Sequence, residues 1–188
     1  MDAVAGHPRR RFVSPTSLGF AFAAALAVGL YIFGKNHTPD YSTSLFGKTG
    51  TDTLSLKAVL ASVVLGLAFF QISTAAWFMG KLKFLPAVPA RLGLTHRFTG
   101  VALLIVTLPI AYHCALAYGV QTFDTRVAVH SIAGCFLYGA FVAKVTVVRS
   151  RRLPGWALPL AGGTLFVTVA LLWYTSALWK FNGFKLPV

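Results

Sequence analysis

Five long apolar stretches alternate with polar segments along the chain. They lie near residues 17–34, 57–80, 98–119, 127–148 and 156–179. As a helix, each is long enough to cross about 30 Å of hydrocarbon. The pattern therefore predicts an all-α integral membrane bundle of five transmembrane helices, a single domain over residues 1–188. We expect helices two to five to form its core and the first helix to be peripheral.

The first apolar stretch has some features of a signal peptide, because three arginines (Arg9 to Arg11) precede an alanine-rich run. It has no small-x-small cleavage site before the following loop. We therefore expect a retained helix. Composition supports the membrane assignment: 56% of residues are hydrophobic and only 11% are charged, whereas a soluble domain carries about a quarter charged residues.

The net charge of +13 is unevenly distributed between the two sides of the predicted spans. Asp40, Asp52 and Asp124 fall in loops on one side. The residues on the other side are Arg9, Arg10, Arg11, Lys81, Lys83, Arg91, Arg97, Arg149, Arg151 and Arg152. This is the positive-inside pattern. It predicts a multi-pass protein of a bacterial plasma membrane, N-in/C-out, whose basic residues face lipid headgroups and no nucleic acid.

Two histidines lie in consecutive predicted helices that form a hairpin centred near Thr122. His113 comes nine residues before that centre and His130 eight after it. At about 1.5 Å rise per residue, the two imidazoles reach nearly the same depth. Ionisable groups inside a membrane are costly and usually functional. Two facing imidazoles suit the axial ligation of a haem b iron, so His113 and His130 are the predicted iron ligands.

Residues near the two histidines fit a haem. Arg126 lies one helical turn outward from His130, where it could meet the propionates. Gly134, one turn inward, removes side-chain bulk where a macrocycle would approach. Pro109 lies one turn before His113 and would bend the helix there. Gly134 and Pro109 also have an ordinary interpretation as membrane-helix packing.

Other interpretations of the histidine pair stay open. The two imidazoles could hydrogen bond and hold helices together. A non-haem metal such as zinc wants three or four ligands, and the sequence offers no carboxylate at that depth. There is no C-x-x-C-H motif, so covalent c-type attachment is excluded. Cys114 and Cys135 differ in depth, and we expect two small buried residues without a disulfide.

His96 lies 17 residues before His113 on the same predicted helix, about 25 Å away, so the two cannot share one haem. We expect His96 and Arg97 to form a cytoplasmic-side contact for a quinone, a lipid or a partner. A second haem there would need another ligand, of which Met79 is the first candidate. His37, in the external loop, is expected to be solvated.

Four motifs carry a resemblance to known proteins: HRFTG, PIAYHC, DTRVAVHSIAGCFLYGAFVAKV and LPGWALPLAGG. They resemble a family of small bacterial membrane proteins encoded near Rieske-type iron–sulfur proteins. The resemblance implies a cytochrome-b-like role, with a Rieske-type protein as redox partner. It marks as shared positions His96, Arg97, His113, Arg126 and His130. More loosely, the histidine hairpin is similar to the ascorbate- and ferric-reducing b-type cytochromes, which use four transmembrane histidines for two haems; only three are present here.

The sequence therefore predicts a b-type cytochrome-like electron-transfer subunit, with one bis-histidine haem toward the outer face. It would be an oxidoreductase only as an electron-transfer subunit, which passes electrons between redox partners. The competing hypothesis is a cofactor-free membrane anchor or assembly subunit of a respiratory complex. In that case the motif residues would fix helix packing and partner docking.

Overall fold

The computed structural model describes residues 14–150 and 152–186. Its helices are α1 (Pro15–Asn36), α2 (Gly50–Phe78), α3 (Leu92–Ala117), α4 (Thr125–Arg149) and α5 (Ala157–Trp173). A π-helical segment (Tyr174–Leu178) and a last turn (Trp179–Phe181) continue α5. Five helices, counting this continuation as one with α5, are long and apolar enough to cross a membrane. The all-α prediction with five spans is confirmed. Arg9 to Arg11 and Arg151 lie outside the described residues.

A polar first turn explains why α2 begins earlier than predicted. α2 begins at Gly50 and carries Asp52 in its first turn, where a negative charge favours the helix dipole. Thr53 is almost fully buried there and donates to the Lys48 carbonyl over 2.6 Å. Hydropathy detects only the apolar part of a helix, so it misses polar turns that extend the helix beyond that part.

Side-chain caps fix the starts of α1 and α4. The Ser14 hydroxyl accepts from the Ser17 amide, and Pro15 occupies the first position of α1, where its missing N–H costs nothing. The Asp124 carboxylate accepts from the Arg126 amide over 2.8 Å at the start of α4. This cap ends the loop between α3 and α4, so it sets where Arg126 and His130 stand.

The buried apolar cluster draws on four helices, as expected for the core. Its members are Val64, Ala68, Leu103, Leu137, Ala140, Leu165 and Val169. α1 contributes none of them, yet it packs closely against α4. A Cβ on Gly139 would fall 2.6 Å from the Ala23 carbonyl oxygen, so this glycine lets the two backbones approach. α1 is thus outside the core cluster but is tightly packed.

α3 and α4 scarcely touch, although a short loop joins them. One hydrogen bond crosses the gap near its middle, from the Tyr138 hydroxyl to the Thr107 carbonyl over 3.1 Å. On one side of this bridge lies the acidic end of the bundle, which carries Asp40, Asp52 and Asp124 beside several basic residues. On the other side lies the basic end, whose charged residues in the described ranges include Lys81, Lys83, Arg91, Arg97, Arg149 and Arg152.

Candidate functional site

His113 is fixed at the acidic end by two partners. Its side chain is only 2% exposed, and its Nε2 lies 3.0 Å from the Thr43 carbonyl oxygen. Its Nδ1 lies 3.5 Å from Lys57 Nζ. A carbonyl only accepts and an ammonium only donates. These partners assign the proton to Nε2 and leave the lone pair of the imidazole on Nδ1, facing Lys57.

The loop between α1 and α2 positions the Thr43 carbonyl. The Asp40 carboxylate accepts from the Ser42 hydroxyl over 2.6 Å, from the Ser42 amide over 3.0 Å and from the Thr43 hydroxyl over 3.2 Å. These hydrogen bonds, the Ser42 hydroxyl first, hold the pKa of Asp40 below its ordinary value. The Asp40 amide donates to the Leu116 carbonyl over 3.1 Å, which ties the loop to the end of α3.

His130 is oriented from α5. Its Nδ1 lies 2.9 Å from the Thr175 hydroxyl, which itself donates to the Leu171 carbonyl over 2.8 Å. The hydroxyl has one proton, so it accepts from His130, and the lone pair of this imidazole is on Nε2. Thr175 belongs to the π-helical segment, and such segments occur often at functional sites.

Lys57 is a neighbour of His113, and the sequence analysis missed it. Its Nζ also lies 3.8 Å from Cys114 Sγ and 4.5 Å from the centre of the Tyr118 ring. Burial raises the pKa of the Tyr118 phenol, so a neutral ring faces the ammonium. One signal was available: Lys57 begins the second apolar stretch.

Arg126 and His130 share Thr175 as a partner. The guanidinium donates to the Thr175 carbonyl over 3.0 Å, while the imidazole contacts the hydroxyl. The guanidinium also stacks 3.9 Å from the centre of the Trp179 ring and lies 3.8 Å from Asp124. Arg126 therefore lies beside His130, toward the end of α4, and these three contacts fix the orientation of its guanidinium.

A mainly apolar cavity of about 170 Å³ lies in the gap between α3 and α4, on the acidic side of the Tyr138 bridge. His130, Gly134 and both thiols, Cys114 and Cys135, line it, and the thiols are free. The smaller lining residues include Ala61, Ala111, Ala115, Gly119 and Ser131. A dry apolar cavity of about 150 Å³ holds a molecule the size of benzene. His113 does not line this cavity; its ring lies toward α2.

His96 lies at the basic end of α3, apart from His113. Its Nδ1 is 2.6 Å from the Thr74 hydroxyl, which donates to the Phe70 carbonyl over 2.8 Å. Phe78 packs edge-on against the imidazole at 5.6 Å between ring centres, and the neighbouring Met79 is 42% exposed. Arg97, the next residue, is exposed.

His37, expected to be solvated, is held by the protein instead. Its Nε2 lies 3.0 Å from the Leu116 carbonyl, and its ring stacks on Phe33 at 5.3 Å. The same end of α1 receives a hydrogen bond from the Val120 amide to the Gly34 carbonyl over 2.7 Å. These contacts join α1 to the end of α3 and give His37 a packing role.

Comparison with known proteins identifies a family. Residues 16–188 match the model of a family described as DUF6529, a family of unknown function. No curated protein and no solved structure matches the chain. Among residues 14–150 and 152–186, no three histidine, cysteine, aspartate or glutamate side chains meet in a group suited to a metal ion.

Proposed function

The chain belongs to the DUF6529 family, whose function is unknown, and we propose that it is a membrane electron-transfer subunit that binds one b-type haem through His113 and His130. The observation that carries the proposal is the state of the two imidazoles. Each has one ring nitrogen held by a protein acceptor and its lone pair on the other nitrogen. The neighbour of the His113 lone pair is Lys57, whose Nζ lies 3.5 Å from Nδ1.

The hydrogen bonds at the far ring nitrogens support iron ligation. A metal-bound histidine almost always donates its other ring N–H to a carbonyl or a similar acceptor, which fixes its tautomer and orientation. The Thr43 carbonyl does this for His113, and the Thr175 hydroxyl does it for His130. Bis-imidazole ligation would then leave the iron to exchange one electron at a time.

Haem binding requires that Lys57 leave His113. The lysine is near the start of α2 and has a long aliphatic stem, so its ammonium can reach the headgroup region. A porphyrin is several times larger than benzene, so the cavity beside His130 supplies part of the room and α3 must move to supply the rest. The gap between α3 and α4 supports such a movement, because few contacts between these helices would be lost.

Arg126 and Gly134 have supporting roles in the proposal. Arg126 stands beside His130 toward the membrane surface, where it would pair with the propionates. Gly134 lines the cavity, and a Cβ there would meet only Leu172, at 4.0 Å. It therefore leaves one side of His130 open to a flat ligand.

A reduced-minus-oxidised visible spectrum of the protein purified after haem-replete expression tests the proposal. We expect a low-spin haem signal of one haem per chain. His113→Ala and His130→Ala should each abolish the signal. His37→Ala should retain it, because that imidazole packs on Phe33 and contacts the Leu116 carbonyl. The absence of a low-spin signal in the unaltered protein would overturn the proposal.

A cofactor-free anchor or assembly subunit of a respiratory complex is the second candidate, and one observation favours it. In the structure the Nδ1 lone pair of His113 already has Lys57 as its partner, so both ring nitrogens have hydrogen-bond partners from the protein itself. Under this hypothesis each histidine substitution costs only packing and hydrogen bonding, about 1–2 kcal/mol. Binding to partner proteins would then weaken gradually, and no variant would change a spectrum.

We further propose the setting of this activity. The charge bias supports an N-in/C-out orientation in a bacterial plasma membrane, since most lysines and arginines of the sequence fall in the segments on the side of the basic end. The haem would then lie toward the outer face. A Rieske-type iron–sulfur protein is the proposed redox partner, and a quinone is a proposed donor at His96 and Arg97. Accessibility of tags at both termini tests the orientation.

A further inference from the structure

We infer that a groove at the basic end of the bundle, mainly between α4 and α1, binds an anionic phospholipid. One acyl chain lies along its apolar walls, and the phosphate pairs with Arg149. The inference is independent of haem, because the groove lies beyond the Tyr138 bridge, on the opposite side from the cavity that His130 lines.

The walls of the groove suit a hydrocarbon chain. It has a volume of about 480 Å³ and lies mainly between α4 and α1. Phe141, Val142 and Val145 of α4 line it, with Pro15 and Gly19 of α1 on one side and Leu104 of α3 on the other. Val145 is 49% exposed, although it faces a recess between helices. In a bilayer, lipid tails would fill such a recess, because no described side chain does.

Two contacts bound the groove. Gly19 of α1 lies so near α4 that a Cβ there would collide with the Thr146 side chain, so the two helices close the groove on this side. On the other side, the Tyr138 hydroxyl ties α4 to the Thr107 carbonyl and bridges the gap beside Leu104. The recess is therefore present in this helix arrangement without any described side chain filling it.

The mouth of the groove carries positive charge and hydroxyl groups. Arg149, in the last turn of α4, lines it and is exposed. The Thr16 and Ser150 hydroxyls lie beside it, 3.1 Å apart. No acid is found at this end in the ranges that the structure describes. An anionic headgroup is the complement of this mouth, and an acyl chain is the complement of the walls, so a phospholipid satisfies both.

Retention of defined lipids tests the inference. The protein is delipidated in detergent and offered phosphatidylglycerol or phosphatidylcholine, and bound lipid is counted by native mass spectrometry. We expect preferential retention of phosphatidylglycerol. Arg149→Gln should reduce it about 5-fold, which corresponds to the ~1 kcal/mol that one arginine near a membrane surface contributes. Phosphatidylcholine retention should fall less in that variant, because the choline cation offsets the charge of its phosphate.

Two matched pairs of variants separate the site from general effects. Arg91→Gln removes the same charge at the same end but away from the groove, and should retain phosphatidylglycerol normally. Val145→Trp fills the groove and should reduce retention of both lipids several-fold, whereas Val148→Trp, at an exposed position of α4 outside the groove, should not. Equal retention of the two lipids by the unaltered protein, or equal effects within either pair, would overturn the inference.

Discussion

Lys57 Nζ lies 3.5 Å from His113 Nδ1, the ring nitrogen that carries the lone pair. A single lysine of α2 thus decides whether this imidazole is available to a ligand. Its ammonium also contacts the Cys114 thiol and the Tyr118 ring. These contacts favour the position beside His113 over a position among the lipid headgroups.

Lys57→Met should raise haem affinity about 10-fold. The change keeps the aliphatic stem and removes the ammonium, so the His113 lone pair is free; a hydrogen bond to a charged group is worth about 1.5–3 kcal/mol. Haem titration followed by the visible spectrum measures the effect. Lys48→Met, an exposed lysine of the same end, is the control. Unchanged affinity in Lys57→Met would show that the lysine does not compete with haem.

Thr175→Val should weaken haem binding by about 10- to 100-fold, the usual effect of losing the partner of a metal-bound histidine. The substitution keeps shape and removes the acceptor that fixes the His130 tautomer. Thr168→Val is a matched control, because Thr168 is also a buried threonine of α5 whose hydroxyl donates to a backbone carbonyl. If both variants bound haem equally, Thr175 would have no role in orienting His130.

The five spans could be predicted from hydropathy because lipid imposes a simple rule on each segment separately. Two histidines near one end of a predicted hairpin were also visible, and the structure holds one ring nitrogen of each against a protein oxygen. Their hydrogen-bond partners were not predictable. Thr43 is 70 residues from His113 and Thr175 is 45 residues from His130, so each pairing depends on how separate helices and loops pack.

The π-helical segment was also beyond sequence analysis. Tyr174 to Leu178 continue an apolar helical pattern, and nothing in their composition marks the wider turn. The segment matters because it presents the Thr175 hydroxyl to His130 and its carbonyl to Arg126. One small residue was informative. The sequence analysis predicts that Gly134 lies beside a haem ligand, His130, and in the structure Gly134 lines the cavity.

Gly134→Phe should abolish haem binding and leave the fold intact. The new ring would occupy the cavity of about 170 Å³, whose lining contains this glycine and His130. Gly162→Phe is the control, since no atom lies within 4 Å of a Cβ at that position and it does not line the cavity. Haem content per chain and the monodispersity of both proteins are the measurements. Normal haem content in Gly134→Phe would place the cofactor elsewhere.

Acid should loosen the loop that holds His113. Because the folded pKa of Asp40 lies below its ordinary value of 3.8, its stabilisation is fully present above that value and is lost as the pH falls through the lower, folded pKa. Hydrogen exchange should then show loss of protection at the Ser42 amide, which donates to this carboxylate. Asp40→Asn should remove this pH dependence. Equal protection of the Ser42 amide above and below the pKa of Asp40 would contradict the prediction.

His96→Ala should leave the haem spectrum and stoichiometry unchanged while it slows reduction by the donor. His96 and His113 lie 17 residues apart on α3, so about 25 Å of helix separates them and they cannot share one iron. His96 Nδ1 is held by Thr74, which leaves its other ring nitrogen for a quinone, lipid or partner. Stopped-flow reduction with a quinol measures the rate, and His37→Ala is the control. Two haems per chain, one of them lost in His96→Ala, would instead make His96 an iron ligand, with the exposed Met79 as the first candidate for its partner.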